Sequence, residues 1–275
     1  MVKFVRRFSA IVLPLILTLV SALIVFSQEG SEAKPTPAKP QPSPSTAKGP
    51  QKPTTAEQVV ETSIYLYSGG RANLDQIRKT TTERGRSTVT AADGRSVQAA
   101  YHRFSIRGES LVKDRIRLDQ ELPTARFSLV FNDEKTYGVF NNTVFTPRED
   151  AVKGFEDPIF HGLDSFLRYK SNESKLELQP NEKLYGVEYY VVDITDKQGR
   201  NTRFYVSAKS FRIMMLTYED AGIRYRRKFY DYRYAQGTLV PFRTVLWADD
   251  RQVEETETGT ITFGQKVDEG LFRIS

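Results

Sequence analysis

Hydrophobic and polar residues alternate through much of the C-terminal half of the chain, most clearly between Gly186 and Trp247. This stretch contains five short runs rich in Val, Ile, Tyr, Phe and Thr, and clusters of Gly, Asp, Ser or Pro separate them. A period of two places every second side chain on the same face of a β-strand. The pattern therefore predicts five antiparallel strands in a meander, with one apolar face.

The predicted apolar face of the first three strands consists of even-numbered residues. They are Tyr190, Val192 and Ile194 in the first strand, Thr202, Phe204 and Val206 in the second, and Met214, Leu216 and Tyr218 in the third. An apolar wall of this kind needs a cover, which could be a second sheet, a helix or a ligand.

Similar patterns predict further strands from Thr80 onwards. Asp93-Gly94 is a strong hairpin signal, because both turn positions tolerate a positive φ, and it would join strands at 86–91 and 96–107. Asn141-Asn142 marks another turn. The remaining predicted strands cover residues 111–122, 126–132, 137–140, 143–145, 175–178 and 253–263. About eleven strands result from this pattern.

Helical spacing predicts three helices. Thr55 and Gln58 form a candidate capping box ahead of an apolar set at helical spacing, and Gly69-Gly70 would end that helix. A short second helix is predicted over 73–78. In the third, Asp157 would cap the start and Pro158 would be the first helical residue. Its apolar stripe comprises Ile159, Phe160, Leu163, Phe166 and Leu167.

These elements predict a mainly β protein of the α+β class, in which helices cover the concave side of one curved antiparallel sheet. Residues 56–275 would form this domain. Residues 28–55 contain seven of the thirteen prolines and predict a disordered tether. Residues 1–27 have a positive start and a long apolar run, which predict a signal peptide or, as the alternative, an uncleaved membrane anchor.

Composition indicates the cellular compartment of the protein and excludes some kinds of site. The absence of cysteine excludes disulfides, thiolate metal sites and lipid attachment to an N-terminal cysteine. An exported protein without disulfides fits the bacterial periplasm. The formal charge of +6 falls to +3 without the leader, which carries three of the basic residues. That charge is too mild for a nucleic-acid binder.

Candidate catalytic chemistry is sparse. The two histidines, His102 and His161, have no partner at metal-ligand spacing, and no hydrolase, phosphate-binding or dinucleotide-binding motif occurs. The acidic pairs lie next to turns or a helix start, where capping and solubility explain them. We therefore expect no catalytic residues, no cofactor and no metal.

A basic and aromatic run in the meander has more than one interpretation. Arg224, Arg226, Arg227 and Lys228 are interleaved with Tyr225, Phe229, Tyr230, Tyr232 and Tyr234. Such a mixture can bind single-stranded nucleic acid, but an exported protein has little use for that. The simplest interpretation is a strand with one solvated face. The alternatives are contact with an anionic lipid head group or with a partner protein.

The chain contains 17 Phe and 14 Tyr, whereas few helices are predicted to cover the apolar strand faces. Part of the concave face is therefore a candidate ligand cavity. Burial contributes about 0.8 kcal/mol for each CH₂ of an acyl chain, and a Lys or Arg near an anionic surface contributes about 1 kcal/mol. Acyl-chain binding would thus be dominated by the apolar wall.

The order of elements over residues 56–275 resembles that of the LolA-like family of periplasmic lipoprotein carriers. The matching features are Gly69-Gly70 with Leu74 and Ile77, the strand at 113–118, Asp157-Pro158 to Gly162-Leu163, Gly186 with Tyr190 to Val192, Phe204 to Val206, Phe211 to Ile213, Tyr230 to Tyr232, Gly237 to Pro241, and Val267-Asp268 with Leu271-Phe272. The proline-rich tether and the high tyrosine content depart from the family pattern.

This resemblance implies an unclosed antiparallel β-barrel of about eleven strands, with helices as a lid over a hydrophobic cavity that shields acyl chains in transit between membranes. The expected cavity residues are Ile116, Leu118, Phe127, Leu129, Phe131, Tyr190, Val192, Phe204, Val206, Met214 and Leu216. The expected lid residues are Ile159, Phe160, Leu163, Phe166 and Leu167. The carriers also use an inward arginine, for which Arg103, Arg115 and Arg117 are candidates.

The first functional hypothesis is therefore a non-enzymatic periplasmic carrier, whose partners would be an acylated lipoprotein or lipid and inner- and outer-membrane transport proteins. The second is a tethered envelope adaptor or sensor that uses the same fold to bind a protein. The third is a hydrolase, which would need a clustered base and nucleophile.

Overall fold

The computed structural model of this chain describes residues 52–273. These residues belong to one compact unit. The predicted leader, and the predicted tether up to residue 51, lie outside the described residues. None of the helices within residues 52–273 is long and apolar enough to cross a membrane.

Thirteen strands form a single antiparallel sheet. Their bounds are β1 Thr80–Thr90, β2 Ser96–Ile106, β3 Arg115–Glu121, β4 Arg126–Asn132, β5 Lys135–Phe140, β6 Thr143–Phe145, β7 Lys175–Leu184, β8 Val187–Thr195, β9 Asn201–Ser207, β10 Ile213–Asp220, β11 Ile223–Ala235, β12 Thr238–Ala248 and β13 Arg251–Phe263.

The strand order across the sheet is β6-β5-β4-β3-β2-β1-β13-β12-β11-β10-β9-β8-β7. Two meanders are thus joined by the pairing of β1 with β13, and β6 and β7 are the two edges of an open sheet. The predicted mainly β class and unclosed antiparallel sheet are confirmed. The described part of the chain contains thirteen strands, whereas the sequence predicted about eleven.

Within residues 52–273, four α-helices accompany the sheet: α1 Ala56–Ser68, α2 Arg71–Ile77, α3 Glu149–Phe160 and α4 Leu163–Leu167. The capping box of α1 is confirmed, because the Thr55 hydroxyl accepts the Gln58 N–H at 3.2 Å and the Gln58 side chain accepts the Thr55 N–H at 3.3 Å. Gly69 ends the helix at φ +75°, a conformation that favours glycine.

The predicted start of the third helix was wrong. Helix α3 begins at Glu149, and Asp157 and Pro158 lie in its last turn. Glu149 and Asp150 occupy the first turn, where acidic residues favour the positive end of the helix dipole. The chain then bends at Gly162, where a Cβ atom would lie 2.0 Å from the carbonyl oxygen of Pro158. The apolar stripe therefore belongs to two helices, α3 and α4.

The strand predicted over 111–122 was too long at its start. A short 3-10 turn occupies Leu111–Lys113, and β3 begins at Arg115. Asp114 stabilises this arrangement, because its carboxylate accepts the Gly108 N–H at 2.8 Å and binds the Arg168 guanidinium at 2.6 Å. A second 3-10 turn, Glu269–Phe272, follows the last strand.

The larger hydrophobic core lies between α1, α2 and α4 and the face of β7–β12 that they cover, which we call the inner face. Each large apolar side chain buried here contributes roughly 1.5–3 kcal/mol. Its members include Val59, Val60, Ile64, Tyr67, Leu74, Phe166, Leu167, Tyr190, Val192, Ile194, Phe204, Val206, Ile213, Leu216 and Tyr218. The predicted even-numbered face of β8 and β9 is thus the core face.

Strand β10 departs from the predicted alternation. Ile213 pairs with Val206 and Met215 pairs with Tyr205, so Met214 is an extra residue at a β-bulge. Ile213 and Leu216 consequently both point into the core, whereas Met214 is only half-buried. The prediction that Met214 shares the face of Leu216 was wrong for this reason.

Two smaller cores complete the fold. Helix α3 packs on the inner face of β3 and β4, where the Phe131 and Phe160 rings meet edge to face at 5.8 Å. On the opposite face, Phe272 from the C-terminal 3-10 turn packs with Val130 and Tyr137. The C-terminal segment therefore covers the outer side of the strands whose inner side carries α3.

Candidate functional site: a cavity beneath helix α3

A cavity of about 550 Å³ lies on the inner face of the sheet, between α3 and strands β1–β4 and β11–β13. Helices α1 and α2 leave this part of the inner face uncovered, and only the start of α4 reaches it. Small-molecule sites typically enclose about 300–1,000 Å³. The cavity is therefore large enough for a ligand.

Cross-strand register shows how the cavity wall changes from polar to apolar. One row of paired residues runs from Ile261 on β13 through Glu83 on β1 and Arg103 on β2 to Leu118 on β3 and Leu129 on β4. All five residues line the cavity. The charged pair thus lies at the centre of the row, with the apolar wall beginning at β3.

A second row follows the same course. It runs from Thr258 on β13 through Gly85 and Tyr101 to Gln120 and Phe127. Gly85 is required at this point, because a Cβ atom there would lie 2.1 Å from the carbonyl oxygen of Glu257 and 2.7 Å from the Tyr101 hydroxyl. The register of β1 with β13 also shifts beside Gly85, which accommodates the close approach.

The apolar wall is formed by β3, β4, the turn before β3 and the inward side of α3. Its members are Leu111, Ile116, Leu118, Phe127, Leu129, Phe155 and Ile159. Most of them belong to the core cluster beneath α3 or pack against it. These side chains are thus held in place by packing beneath α3 and can still contact an apolar ligand.

Hydroxyl and carboxylate groups form the opposite wall. The Glu83 carboxylate accepts hydrogen bonds from the Tyr101 hydroxyl at 2.5 Å and from the Thr258 hydroxyl at 2.9 Å. Burial and the neighbouring Glu83 carboxylate hold the pKa of Tyr101 well above its ordinary value, so the phenol stays protonated. Ser87, Thr244 and Thr256 add further hydroxyls to this wall.

Most of the cavity arginines are already paired. Arg107 binds Asp164 at 2.7 and 2.9 Å, and Arg78 lies 3.6 Å from the same carboxylate. Burial would raise the pKa of Asp164, but the nearby guanidinium groups outweigh it and hold that pKa below its usual value. Arg227 on β11 binds Glu254 on β13 at 3.3 Å.

Arg103 is the one of the three candidate arginines that lines the cavity. Its Nε atom is buried, and the side chain forms no hydrogen bond or ion pair with the described residues. Arg115 instead binds Glu269 at 3.0 Å. Arg117 binds Asp119 at 2.6 Å and Ser128 at 2.9 Å beside the C-terminal segment. Arg115 and Arg117 thus do not face the cavity.

The expected cavity residues divide into two groups. Ile116, Leu118, Phe127 and Leu129 line the cavity. Phe131 lies in the core beneath α3. Tyr190, Val192, Phe204, Val206 and Leu216 are packed in the larger core, and Met214 lies at the bulge of β10. Helices, rather than a ligand, cover β8, β9 and β10 at these positions.

The expected lid residues divide in the same way. Ile159 and Leu163 line the cavity, and Phe160 packs in the core beneath α3. Phe166 and Leu167 on α4 belong to the larger core. The end of α3 is also anchored to the sheet, because Asp157 accepts a hydrogen bond from the Tyr218 hydroxyl at 3.0 Å.

The sequence patterns did not identify several polar residues of the cavity, among them Glu83, Tyr101 and Glu254. Their signal was present but ambiguous. Strands β1, β2 and β13 alternate between two polar sets, so the pattern does not indicate which set points inward.

The basic and aromatic strand is now resolved into two faces of β11. Arg227 and Phe229 point inward and line the cavity. Arg226 lies over the Trp247 ring at 5.3 Å, and the Lys228 ammonium nitrogen lies 5.4 Å from the Tyr185 ring centroid and 5.5 Å from that of Trp247. Cation–π contacts therefore organise the outer face.

Neither histidine lies in a metal-binding cluster, and no group of three or more His, Asp or Glu residues within 52–273 could hold a metal ion. His161 is buried at the junction of α3 and α4, where its ring stacks on Tyr218 at 4.0 Å and its Nδ1 atom lies 2.7 Å from the Thr202 hydroxyl. His102 lies on the outer side of β2, next to Arg84.

The fold defines a class of protein, an open antiparallel sheet with helices and a cavity on one face, and solved structures of that class are similar to this chain. A DUF1329 family protein from Desulfovibrio piger has a TM-score of 0.59 at 11% identity, covering 80% of this chain and 97% of its own. An outer membrane lipoprotein-sorting protein domain from Vibrio parahaemolyticus has a TM-score of 0.56 at 12% identity, covering 78% and 94%.

A LolA superfamily protein from Nitrosomonas europaea is similar to the same degree, with a TM-score of 0.56 at 11% identity, covering 80% of this chain and 98% of its own. No family model and no curated protein matches the sequence. At these identities the likeness is one of fold alone. The chain therefore has a LolA-like fold, as its sequence predicted.

Proposed function

We propose that this protein is a non-enzymatic carrier that binds acyl chains of lipids or lipoproteins and ferries them between membranes. The observation that carries this proposal is the cavity of about 550 Å³ with a continuous apolar wall on β3, β4 and α3. The LolA-like fold adds support, because one solved structure with this fold is described as an outer membrane lipoprotein-sorting domain.

Acyl-chain binding suits the magnitudes involved. Burial of ten methylene groups against the apolar wall would contribute roughly 8 kcal/mol. A single surface cation near an anionic head group contributes about 1 kcal/mol. The wall would therefore provide most of the affinity, and charge would orient the ligand.

The proposed domain organisation places this function in the periplasm. Residues 1–27 would direct export or anchor the chain in the inner membrane, and residues 28–55 would act as a flexible tether. Residues 56–275 would be the lipid-binding domain. Membrane transport proteins on either side would then be its partners in loading and release.

A fluorescence assay tests the proposal. The purified protein should bind the neutral probe N-phenyl-1-naphthylamine, and palmitic acid should displace it. Leu118→Gln should weaken both interactions about tenfold, because it places an amide in the apolar wall. Val187→Gln, which changes an exposed apolar residue far from the cavity, is the matched control. A protein that binds neither probe nor palmitate would contradict the proposal.

A second candidate, an envelope adaptor that binds a protein, is favoured by the outer face of β11. Arg226 and Lys228 lie against Trp247 and Tyr185 and form no ion pair within residues 52–273. Half-buried cations beside aromatic rings, without carboxylate partners in the described part of the chain, suit an acidic partner. Capture of a protein in a pull-down that is lost in Lys228→Ala and Trp247→Ala, but retained in Leu118→Gln, would support this candidate.

A further inference from the structure

We propose that the cavity binds its ligand's anionic head group inside, at Arg103, so that the preferred ligand is an anionic acyl lipid. The inference rests on the proposed function, because it assigns the head group of the acyl chain that the apolar wall would hold. It concerns a carboxylate or a phosphate oxyanion, which a guanidinium group binds through paired hydrogen bonds.

The position of Arg103 supports this assignment. In the cross-strand row, its neighbour on β3 is Leu118, where the apolar wall begins, and its neighbour on β1 is Glu83, where the polar wall begins. An acyl chain that lies along β3, β4 and α3 would have its polar end at this boundary. Arg103 is therefore where an amphipathic ligand changes from chain to head group.

The hydrogen-bond donors of Arg103 are also available. The neighbouring carboxylates are bound elsewhere, since Glu83 accepts from Tyr101 and Thr258 and Glu254 binds Arg227. The Nε atom of Arg103 is buried and makes no hydrogen bond with the described residues. A buried donor without a partner is unfavourable, and an oxyanion in the cavity would provide the missing acceptor.

A second hydrogen-bond donor without a partner lies on the same side of the sheet, just after the end of β2. The Nη1 atom of Arg107 is buried and makes no hydrogen bond with the described residues, and it lies 3.9 Å from the Asp75 carboxylate. Ser105 lies between the two arginines and also lines the cavity. Three inward positions, 103, 105 and 107, thus present donors along one edge of the cavity.

Displacement of N-phenyl-1-naphthylamine from the protein purified after expression of the full chain tests the inference. Three competitors with the same chain would be compared: palmitic acid, palmitoyl lysophosphatidic acid and neutral monopalmitoylglycerol. Arg103→Gln should weaken the two anionic competitors about tenfold and change the neutral competitor by less than about twofold. The wild-type preference between carboxylate and phosphate identifies the source of the oxyanion.

Controls separate this inference from the proposed function. Arg86→Gln removes an exposed arginine from the outer side of β1 and should change none of the three affinities. Arg103→Lys should restore part of the anionic preference. Equal weakening of all three competitors by Arg103→Gln, or no weakening of any, would overturn the head-group assignment while leaving acyl binding intact. A wild-type protein that binds none of the three would contradict the proposed function itself.

Discussion

At the scale of single residues, burial gives the two histidines different behaviour. His161 is enclosed by Tyr218, Thr202 and the end of α3. Burial lowers its pKa to about 4, with the opposing charges of Asp157 and Arg200 as smaller influences. The imidazole is therefore neutral in the folded protein at pH 7 and acts as a packed, hydrogen-bonded ring.

This burial predicts a pH dependence of stability. Between about pH 6.5 and 4 the unfolded chain binds a proton at His161 and the folded chain does not, so the free energy of unfolding falls as the pH falls. The total loss is roughly 3 kcal/mol at 1.36 kcal/mol for each pKa unit. Urea unfolding of wild type and His161→Gln at pH 7, 5.5 and 4.5 measures it.

The difference between the two unfolding curves isolates the histidine from other acid-sensitive groups. His161→Gln should lose stability at pH 7 but show a flatter dependence between pH 6.5 and 4.5. His102→Gln is the comparison, because burial also lowers the pKa of His102 but this histidine is less buried, so its removal should flatten the pH dependence less. Parallel curves for wild type and His161→Gln would show that His161 is not buried in its neutral form.

The sequence predicted the orientation of single side chains correctly where a strand alternates regularly between apolar and polar residues. Tyr190, Val192, Phe204 and Val206 were predicted on one face and do share it. Met214 failed, because a single inserted residue at the bulge shifts the phase of β10 and no local signal marks it. The inward orientation of Arg103 required the register of β1, β2 and β3, which is a property of paired strands.

At the scale of elements, the helix boundaries show what sequence patterns resolve. The capping box of α1 was identified because the cap side chains and the apolar period agree. The start of α3 was missed because Arg148 provides no capping side chain and Asp157-Pro158 imitates a helix start. Those residues instead lie in the last turn, where Asp157 binds Lys153 at 3.2 Å and anchors the helix.

Substitution of leucines on different strands of the inner face should have different effects on stability. Leu216 on β10 is fully buried beneath the helices, whereas Leu118 on β3 faces the cavity. Leu216→Ala should therefore lower the free energy of unfolding by about 2–5 kcal/mol, because it creates a cavity in packed core. Leu118→Ala should cost less, because open space already adjoins the side chain.

Urea unfolding measures both variants, and the displacement assay provides a complementary readout. Leu118→Ala should weaken lipid binding more than Leu216→Ala does, which reverses the order found for stability. Equal costs in stability and equal effects on binding would contradict the division of the inner face into a packed part and an open part.

At the scale of the whole molecule, the sheet is divided between support and binding. Helices α1, α2 and α4 cover the inner face of β7–β12 and form the larger core. Helix α3 covers β3 and β4 only in part, which leaves the cavity between it and the strands around β1 and β13. The paired strands β1 and β13 join the two meanders at the floor of this cavity.

The sequence indicated the whole fold better than the site. The open antiparallel sheet followed from the strand patterns and the family resemblance, and the LolA-like fold is confirmed. The cavity was expected along β3, β4 and the meander between Gly186 and Trp247. Strands β3 and β4 do line it. The predicted residues of that meander are instead packed beneath helices, and more polar strands, β1, β2 and β13, form the rest of the cavity. Which apolar face is covered depends on tertiary packing of α1 and α4, which strand periodicity does not encode.

Native mass spectrometry of the purified protein would show directly whether it carries an acyl lipid. The account predicts that a fraction of the molecules carries an additional mass of one acyl lipid, released on activation and identified by its fragments. In Leu118→Gln that fraction should fall, and in Val187→Gln it should not. Wild-type protein that is free of acyl species, and stays free after incubation with palmitic acid, would contradict the account.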